Sequence, residues 1–185
     1  MITANFDLLI LDWIAAHLWC PFLDCVMPII THLGDGGIFW IALALILLCI
    51  PKTRKTGAAM GIALLMGLLV CNLALKPLIG RIRPFDYQLL QGKVIPLLIE
   101  APKDFSSPSG HTIASFEAAT VLLLCHRKWG IGAAVLAVLI AFSRLYLYVH
   151  YPTDVLASVV LGIGIAFLAT HLTNKGWALI DTNKK

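Results

Sequence analysis

Apolar residues follow one another along most of this chain, in runs too long for a half-buried strand and too evenly apolar for a soluble amphipathic helix. Short polar clusters separate the runs. Residues 5–19 are apolar but carry Asp7, Asp12 and His17, and read as an interfacial helix lying on a membrane and broken by Pro21. Residues 22–32 are short, with Asp24 and Pro28 inside, and form the weakest span. Gly34-Asp35-Gly36-Gly37 reads as a tight turn. The run 38–50 is closed by Pro51, and 57–75 is the clearest span, without a charge. Residues 111–125, 130–142 and 155–172 follow, with Glu117 the one acid in the first two. Between residues 79 and 110 lies a long loop too polar to cross a bilayer. The pattern predicts an all-α integral-membrane six-helix bundle with an N-terminal interfacial helix, organised as a single domain over residues 1–185.

Composition agrees with that reading. Of 185 residues, 59% are hydrophobic and 13% charged, against about 45–50% and about 25% in soluble domains. Too few polar groups exist to cover a soluble surface, so a soluble globular domain, a disordered chain and a disulfide mini-protein are excluded. A span needs about 20 apolar residues, so six spans leave no room for a second domain. No basic segment precedes the first apolar run, and no secretory signal peptide is expected. The five cysteines are odd in number, form no C-x-x-C pair and read as small buried hydrophobes.

The net charge of +4 matters through its placement. Lys52, Arg54, Lys55, Arg127, Lys128, Lys175, Lys184 and Lys185 fall on one side of the six spans. The positive-inside rule makes that side, with the C-terminus, cytoplasmic. Lys76, Arg81, Arg83, Lys93, Lys103 and Arg144 fall at the opposite ends of the spans. Positives there run against the rule; the nearby acids Asp86, Glu100, Asp104 and Asp154 account for part of this, and anion binding by some of the cations is the stronger explanation. No nucleic-acid partner is expected.

Three constellations on that outer face carry chemistry. Lys76 and Arg83 are seven residues apart and point the same way if helix continues through Pro77 and Gly80; alone, they equally read as a snorkelling lysine and a basic loop. Pro108-Ser109-Gly110-His111 opens an apolar run, so helix N-terminal amides gather an anion beside a proton-donating His111; an ordinary N-cap fits the same residues. Arg144 offers a guanidinium fork for phosphate oxygens. Asp154 is spaced to orient His150, one ring nitrogen donating to the carboxylate and the other free to attack, although it also suits a helix cap. Together these groups amount to a phosphoryl-transfer site with nucleophile, acid and charge clamp.

The sequence Lys76…Arg83-Pro84, Pro108-Ser109-Gly110-His111, Ser143-Arg144…His150…Asp154 resembles the type 2 phosphatidic acid phosphatase superfamily at every motif position. The motifs cover residues 76–154; the first 75 residues match in hydropathy alone. The resemblance implies metal-independent, cofactor-free hydrolysis of a lipid phosphate or diphosphate at the extracytoplasmic face of the cell membrane. It implies that His150 forms a phosphohistidine, that Asp154 polarises His150, and that His111 protonates the leaving oxygen and then activates water. Lys76, Arg83, Ser109, the Gly110 amide and Arg144 hold the phosphoryl oxygens on this reading. Undecaprenyl diphosphate is the first substrate expected, with phosphatidylglycerol phosphate its competitor. A lipid phosphotransferase is the next alternative and a non-enzymatic lipid or anion transporter the last. Soluble acid phosphatases and vanadium haloperoxidases share the motifs, but the composition excludes them.

Further expectations are smaller. Residues 85–103 lie beside the site and guide a lipid tail, or pack as a surface loop. Tyr87, Tyr146, Tyr148 and Tyr151 form one aromatic belt, Trp129 and Trp177 the other. Gly57-x3-Gly61 and Gly162-x3-Ala166 pack helices. Glu117 is an intramembrane acid whose pairing partner stays open.

Overall fold

The computed structural model describes residues 2–182, with side chains from residue 6 to residue 179. It is helical, with no strand among the described residues: α1 (Ile2–Leu18), α2 (Pro21–His32), α3 (Ile38–Cys49), α4 (Arg54–Gly67), a π-helical stretch (Leu68–Leu75) leading into α5 (Lys76–Ile79), α6 (Pro84–Leu90), α7 (Gly110–Cys125), α8 (Arg127–Tyr146) and α9 (Pro152–Thr182). Prolines open α2, α6 and α9, where a missing N–H removes no helical bond. Lys184 and Lys185, counted above for orientation, lie outside the described residues.

Four helical stretches are long and apolar enough to cross a membrane: Pro21–Cys49, Arg54–Leu90, Arg127–Tyr146 and Pro152–Leu179; Gly110–Cys125 is a shorter apolar helix. Leucine, isoleucine and valine side chains are exposed all around the bundle, as a lipid-facing surface requires. The protein is an integral membrane protein. Two of the six expected spans, 22–32 and 38–50, form the single stretch Pro21–Cys49, broken where Gly36 and Gly37 adopt left-handed φ of 56° and 68°. Its first part does not run down the bundle. Tyr146 at the end of α8 binds Cys20 and Asp24, and Arg144, one turn away, binds Thr31. Both ends of α2 therefore meet the same end of α8. Twelve residues rise only about 18 Å against a core of about 30 Å, and Asp24 with Pro28 suits a helix that stays near polar groups.

α7 is the centre, packing against α4, α8 and α9, while α3 packs on α4. The core is made of small residues around a few large ones: Ala63, Ala118, Ala137, Ala166 and Ala169 beside Trp40, Met60, Val121 and Ile140. Trp40 donates its indole N–H to Ser115 Oγ at 3.0 Å. Without a hydrophobic force between helices in lipid, close backbone approach does the packing. A Cβ on Gly57 would come within 2.4 Å of the Leu48 backbone nitrogen, and one on Gly162 within 3.0 Å of the Ile113 carbonyl. Gly61 was expected to pack likewise, but a Cβ there meets nothing within 4 Å. Of the cysteines only Cys71 is buried; Cys25, Cys49 and Cys125 face outward.

α1 and α2 lie over the end of the bundle that carries the long loop and the turn 147–151. Ile14 and Met27 pack with Tyr146, Leu147 and Val149, joined by Phe85, Leu97 and Ile99 from the loop. Leu11 packs with Tyr148 and Tyr151. Tyr146, Tyr148 and Tyr151 are thus buried, not an exposed aromatic belt; each hydroxyl-bearing ring is drawn under α1 and α2 by apolar packing. Tyr146 and Tyr148 also donate to Asp24 and Asp12.

Candidate active site

The loop ends and helix termini at this end converge. Lys76 follows the π-helical stretch, and α5 stops at Gly80, whose φ of 58° turns the chain left-handed. Helix does not continue to Arg83, which instead stands extended before α6. The turn returns Arg83 to the side of Lys76, and both bind Asp104: Lys76 through its ammonium, Arg83 through Nη2 at 2.5 Å. Arg83 also donates from Nε to the Asp104 carbonyl at 2.8 Å and from Nη1 to the Val149 carbonyl at 2.7 Å. The two cations hold the Asp104 carboxyl down at about 2, against a burial effect that raises it.

His150 is 1% exposed. Its Nε2 sits 3.3 Å from Arg83 Nη1. A guanidinium only donates, so Nε2 presents its lone pair and the proton resides on Nδ1. Burial first, then the charges of Arg83, Arg144 and Lys76, hold the imidazole well below its usual range, which favours a neutral ring with an unprotonated Nε2, the form a nucleophile needs. Asp154 is buried in the first turn of α9 behind it. The expected hydrogen bond from His150 to Asp154 is not formed: Nδ1 has no partner among the described residues. The Asp154 carboxylate accepts instead from Arg81 Nη1 at 2.5 Å, Ser106 Oγ at 2.5 Å and the Tyr151 backbone N–H at 3.2 Å.

His111 lies in the first turn of α7. Its Nε2–H donates to Asp35 Oδ1 at 2.8 Å, and Asp35 Oδ2 also meets His32 Nδ1 at 2.6 Å. Arg144, 2% exposed, stands 3.5 Å from the same His111 nitrogen and is tethered to Thr31 Oγ1 at 2.6 Å. Gly110 lines the cavity with these groups, but Ser109 does not. Ser109 Oγ caps α7 by accepting from Thr112, and its N–H donates to Ser158. The ordinary-cap reading of Ser109 is the one this geometry fits.

Lys76, Arg83, Gly110, His111, Arg144 and His150 thus open on one cavity of about 1050 Å³. It holds a buried imidazole, a second imidazole on a carboxylate, and three cations. Beyond the charges it continues as an apolar groove between α3 and α4, walled by Ile41, Leu45, Leu48, Gly61, Ile62 and Leu65. From Gly67 back to Gly57 the groove follows α4 for roughly 15 Å. The tail path expected along residues 85–103 is only partly available, because Phe85, Ile95, Leu97 and Ile99 are packed under α1 and α2. Glu117 stands on the groove wall, 1% exposed, with no hydrogen-bond partner for either oxygen among the described residues. Its carboxyl lies against Gly67, where a Cβ would come within 2.2 Å of it.

Sequence reasoning assigned Asp35, Thr31, Arg81 and Ser106 no place in the site; Asp104 was expected only as an acid near the outer cations, and it pairs with Lys76 and Arg83. Asp35 had a signal, an acid inside a glycine turn beside the first span, but was read as turn chemistry alone.

Residues 56–178 match the PAP2 superfamily, well over half of the chain. This protein belongs to that superfamily. Its PAP2 relatives include an undecaprenyl-diphosphatase of Sulfolobus acidocaldarius, 35% identical over 140 residues, which are 74% of this chain and 65% of the relative. The chain thus spans just under two thirds of that relative's length. The phosphatidylglycerophosphatase B of Bacillus subtilis is 35% identical over 167 residues, 84% of this chain and 77% of the relative. Among solved PAP2 structures, the transmembrane phosphatidylglycerolphosphate phosphatase from Bacillus subtilis superposes with a TM-score of 0.67 at 29% identity, covering 95% of this chain and 98% of that one. Aquifex aeolicus LpxE gives 0.72 at 25% identity, covering 88% and 93%.

Proposed function

We propose that this PAP2 protein hydrolyses a lipid phosphate or diphosphate through a covalent phosphohistidine. The observation that carries the proposal is one continuous cavity, with His150 Nε2, His111 and three cations at its head and an apolar groove as its tail. The headgroup lies among Lys76, Arg83, Arg144 and the Gly110 amide, and displaces Asp104 from Lys76 and Arg83. His150 Nε2 attacks phosphorus, the bond to the leaving oxygen breaks, and His111 gives that oxygen a proton. Water then attacks the phosphohistidine while His111 takes its proton, releasing phosphate and free His150. General acid–base help of this kind is worth about 10²–10⁴ in rate. Asp154 acts on His150 through the geometry of the turn and its negative charge.

The distribution of lysine and arginine supports an extracytoplasmic site and a cytoplasmic C-terminus, with α1 and α2 lying along the membrane surface over the site. Relatives named undecaprenyl-diphosphatase make undecaprenyl diphosphate the first substrate to assay; phosphatidylglycerol phosphate is second, on the phosphatidylglycerophosphatase relative and its solved neighbour. The test is phosphate release from both lipids by purified protein in detergent, with and without chelator. Chelator-insensitive release by wild type and none by His150→Ala is expected. Release by His150→Ala at the wild-type rate, or phosphate passed wholly to an organic acceptor, refutes the reading.

A further inference from the structure

The turn that bears His150 is held from a part of the chain outside the PAP2 match. Asp7 on α1 is completely buried. Its Oδ1 accepts the Thr153 backbone N–H at 3.0 Å; its Oδ2 accepts the Thr153 hydroxyl at 2.6 Å and Arg81 Nη2 at 2.7 Å. Arg81 in turn donates from Nη1 to Asp154 Oδ1 at 2.5 Å and to Thr153 Oγ1 at 2.8 Å. Its guanidinium lies 3.8 Å over the ring of Tyr151. Asp7, Arg81 and Thr153 thus close a ring of charge-assisted bonds, the strong kind, to which Asp154 is tied through Arg81 and Tyr151 through its N–H to Asp154 and its ring under the guanidinium.

The turn needs such a brace. Tyr148, two residues before His150, has a φ of 59°, a conformation that costs of order 1–3 kcal/mol and persists only when its surroundings over-determine it. Its hydroxyl is fixed between Gln88 and Asp12, and Tyr146 is fixed by Asp24. The start of α9, on the other side of His150, has Asp7. A buried carboxylate is expensive unless fully bonded, and every bond of this one goes to the far side of the catalytic turn or to Arg81.

We propose that Asp7 is a positioning residue of the phosphatase: with Arg81 it locks Asp154 and the first turn of α9, and so aims His150 Nε2 at phosphorus. This rests on the reading of His150 and Asp154 given above. A nucleophile misplaced by about 1 Å loses about 10² in rate, and phosphate binding, which uses Lys76, Arg83 and Arg144, is spared.

The experiment compares full-length Asp7→Asn, Asp7→Glu, Arg81→Lys, Thr53→Ala and His150→Ala in detergent, measuring kcat, KM and Tm for each. The Thr53 hydroxyl donates to the Leu47 carbonyl in the last turn of α3, and Thr53→Ala serves as a destabilised control away from the site. The expected result is a fall in kcat of about 10²-fold for Asp7→Asn with KM within about threefold, partial recovery in Asp7→Glu, and wild-type kcat in Thr53→Ala. Arg81→Lys, which keeps the charge but not the two-armed fork, shows the same split and stands in if Asp7→Asn does not fold. Wild-type kcat in folded Asp7→Asn overturns the proposal. So does a kcat that tracks Tm equally in Asp7→Asn and Thr53→Ala, since Asp7 then acts on stability alone. Activity in His150→Ala refutes the underlying site instead, and is told apart by that variant alone.

Discussion

Replacing Gly34 by alanine isolates the role of His111 without touching a motif residue. The Gly34 backbone, at φ −92° and ψ −7°, accepts alanine without strain. The added Cβ would come 2.7 Å from His111 Cδ2, 3.2 Å from its Cγ and 3.0 Å from Ile140 Cγ2. Carbon atoms rest about 3.5–4.0 Å apart, so an overlap of roughly 0.8 Å has to be relieved. Ile140 is fully buried in the core, which leaves the imidazole to move. A shift of that size takes the 2.8 Å bond between His111 and Asp35 past about 3.5 Å, beyond useful hydrogen-bond range. The acid–base group is then displaced from the leaving oxygen, and a fall in kcat of about 10²-fold follows. Gly132→Ala, where the new methyl meets nothing within 4 Å, is the matched control and keeps full activity. Phosphate release in detergent, with Tm recorded alongside, decides the matter. A folded Gly34→Ala enzyme with kcat within about threefold of wild type refutes the assignment of His111 as the acid–base group.

Other outcomes follow from the same geometry. Gly61→Leu projects a side chain into the apolar groove, so KM for a long-chain lipid phosphate rises by about 10-fold, as for a few lost apolar contacts, while turnover of a short soluble phosphate ester is unchanged. Gly57→Val forces α4 off the Leu48 backbone and lowers stability by about 1–3 kcal/mol, read as a lower Tm. Asp104 has its carboxyl lowered to about 2 in the folded protein; its ion pairs with Lys76 and Arg83 therefore stabilise the fold above the unfolded value near 3.8 and are lost as pH falls through about 2. Any activity limb between pH 5 and 8 thus keeps its position in Asp104→Asn. The depressed His150 imidazole takes up its second proton at lower pH than a free histidine, which the ¹⁵N shifts of labelled histidine report.

The residues legible in the sequence were those whose spacing is local. Ser143-Arg144, His150 and Asp154 sit within one turn and two helix ends, and Pro152 announces the start of α9; their convergence with Lys76, Arg83 and His111 needed only antiparallel spans. The groups that orient them were not legible. Asp35 meets His111 across 76 positions and Asp7 meets Arg81 across 74, and no periodicity encodes such a pairing. The span at 57–75 was plain from nineteen uncharged residues. The course of segment 22–32 was not legible because hydropathy measures affinity for an apolar surrounding and not direction within it. A helix lying across the bundle end buries Met27 as well as a helix crossing the bilayer would. The tyrosines failed for a related reason: a ring with a hydroxyl suits an interface and a buried hydrogen-bond network equally.

The groove between α3 and α4 is open on one flank, where Ile41, Leu45, Leu48, Gly61, Ile62 and Leu65 are both cavity wall and outer surface or close to it. A tail lodged there never has to leave its leaflet. Substrate then arrives sideways, by two-dimensional diffusion, and the quantity that governs encounter is its mole fraction in the bilayer or micelle. Adding inert detergent at fixed total substrate should slow the enzyme by surface dilution, whereas a water-soluble ester would be indifferent to the same addition.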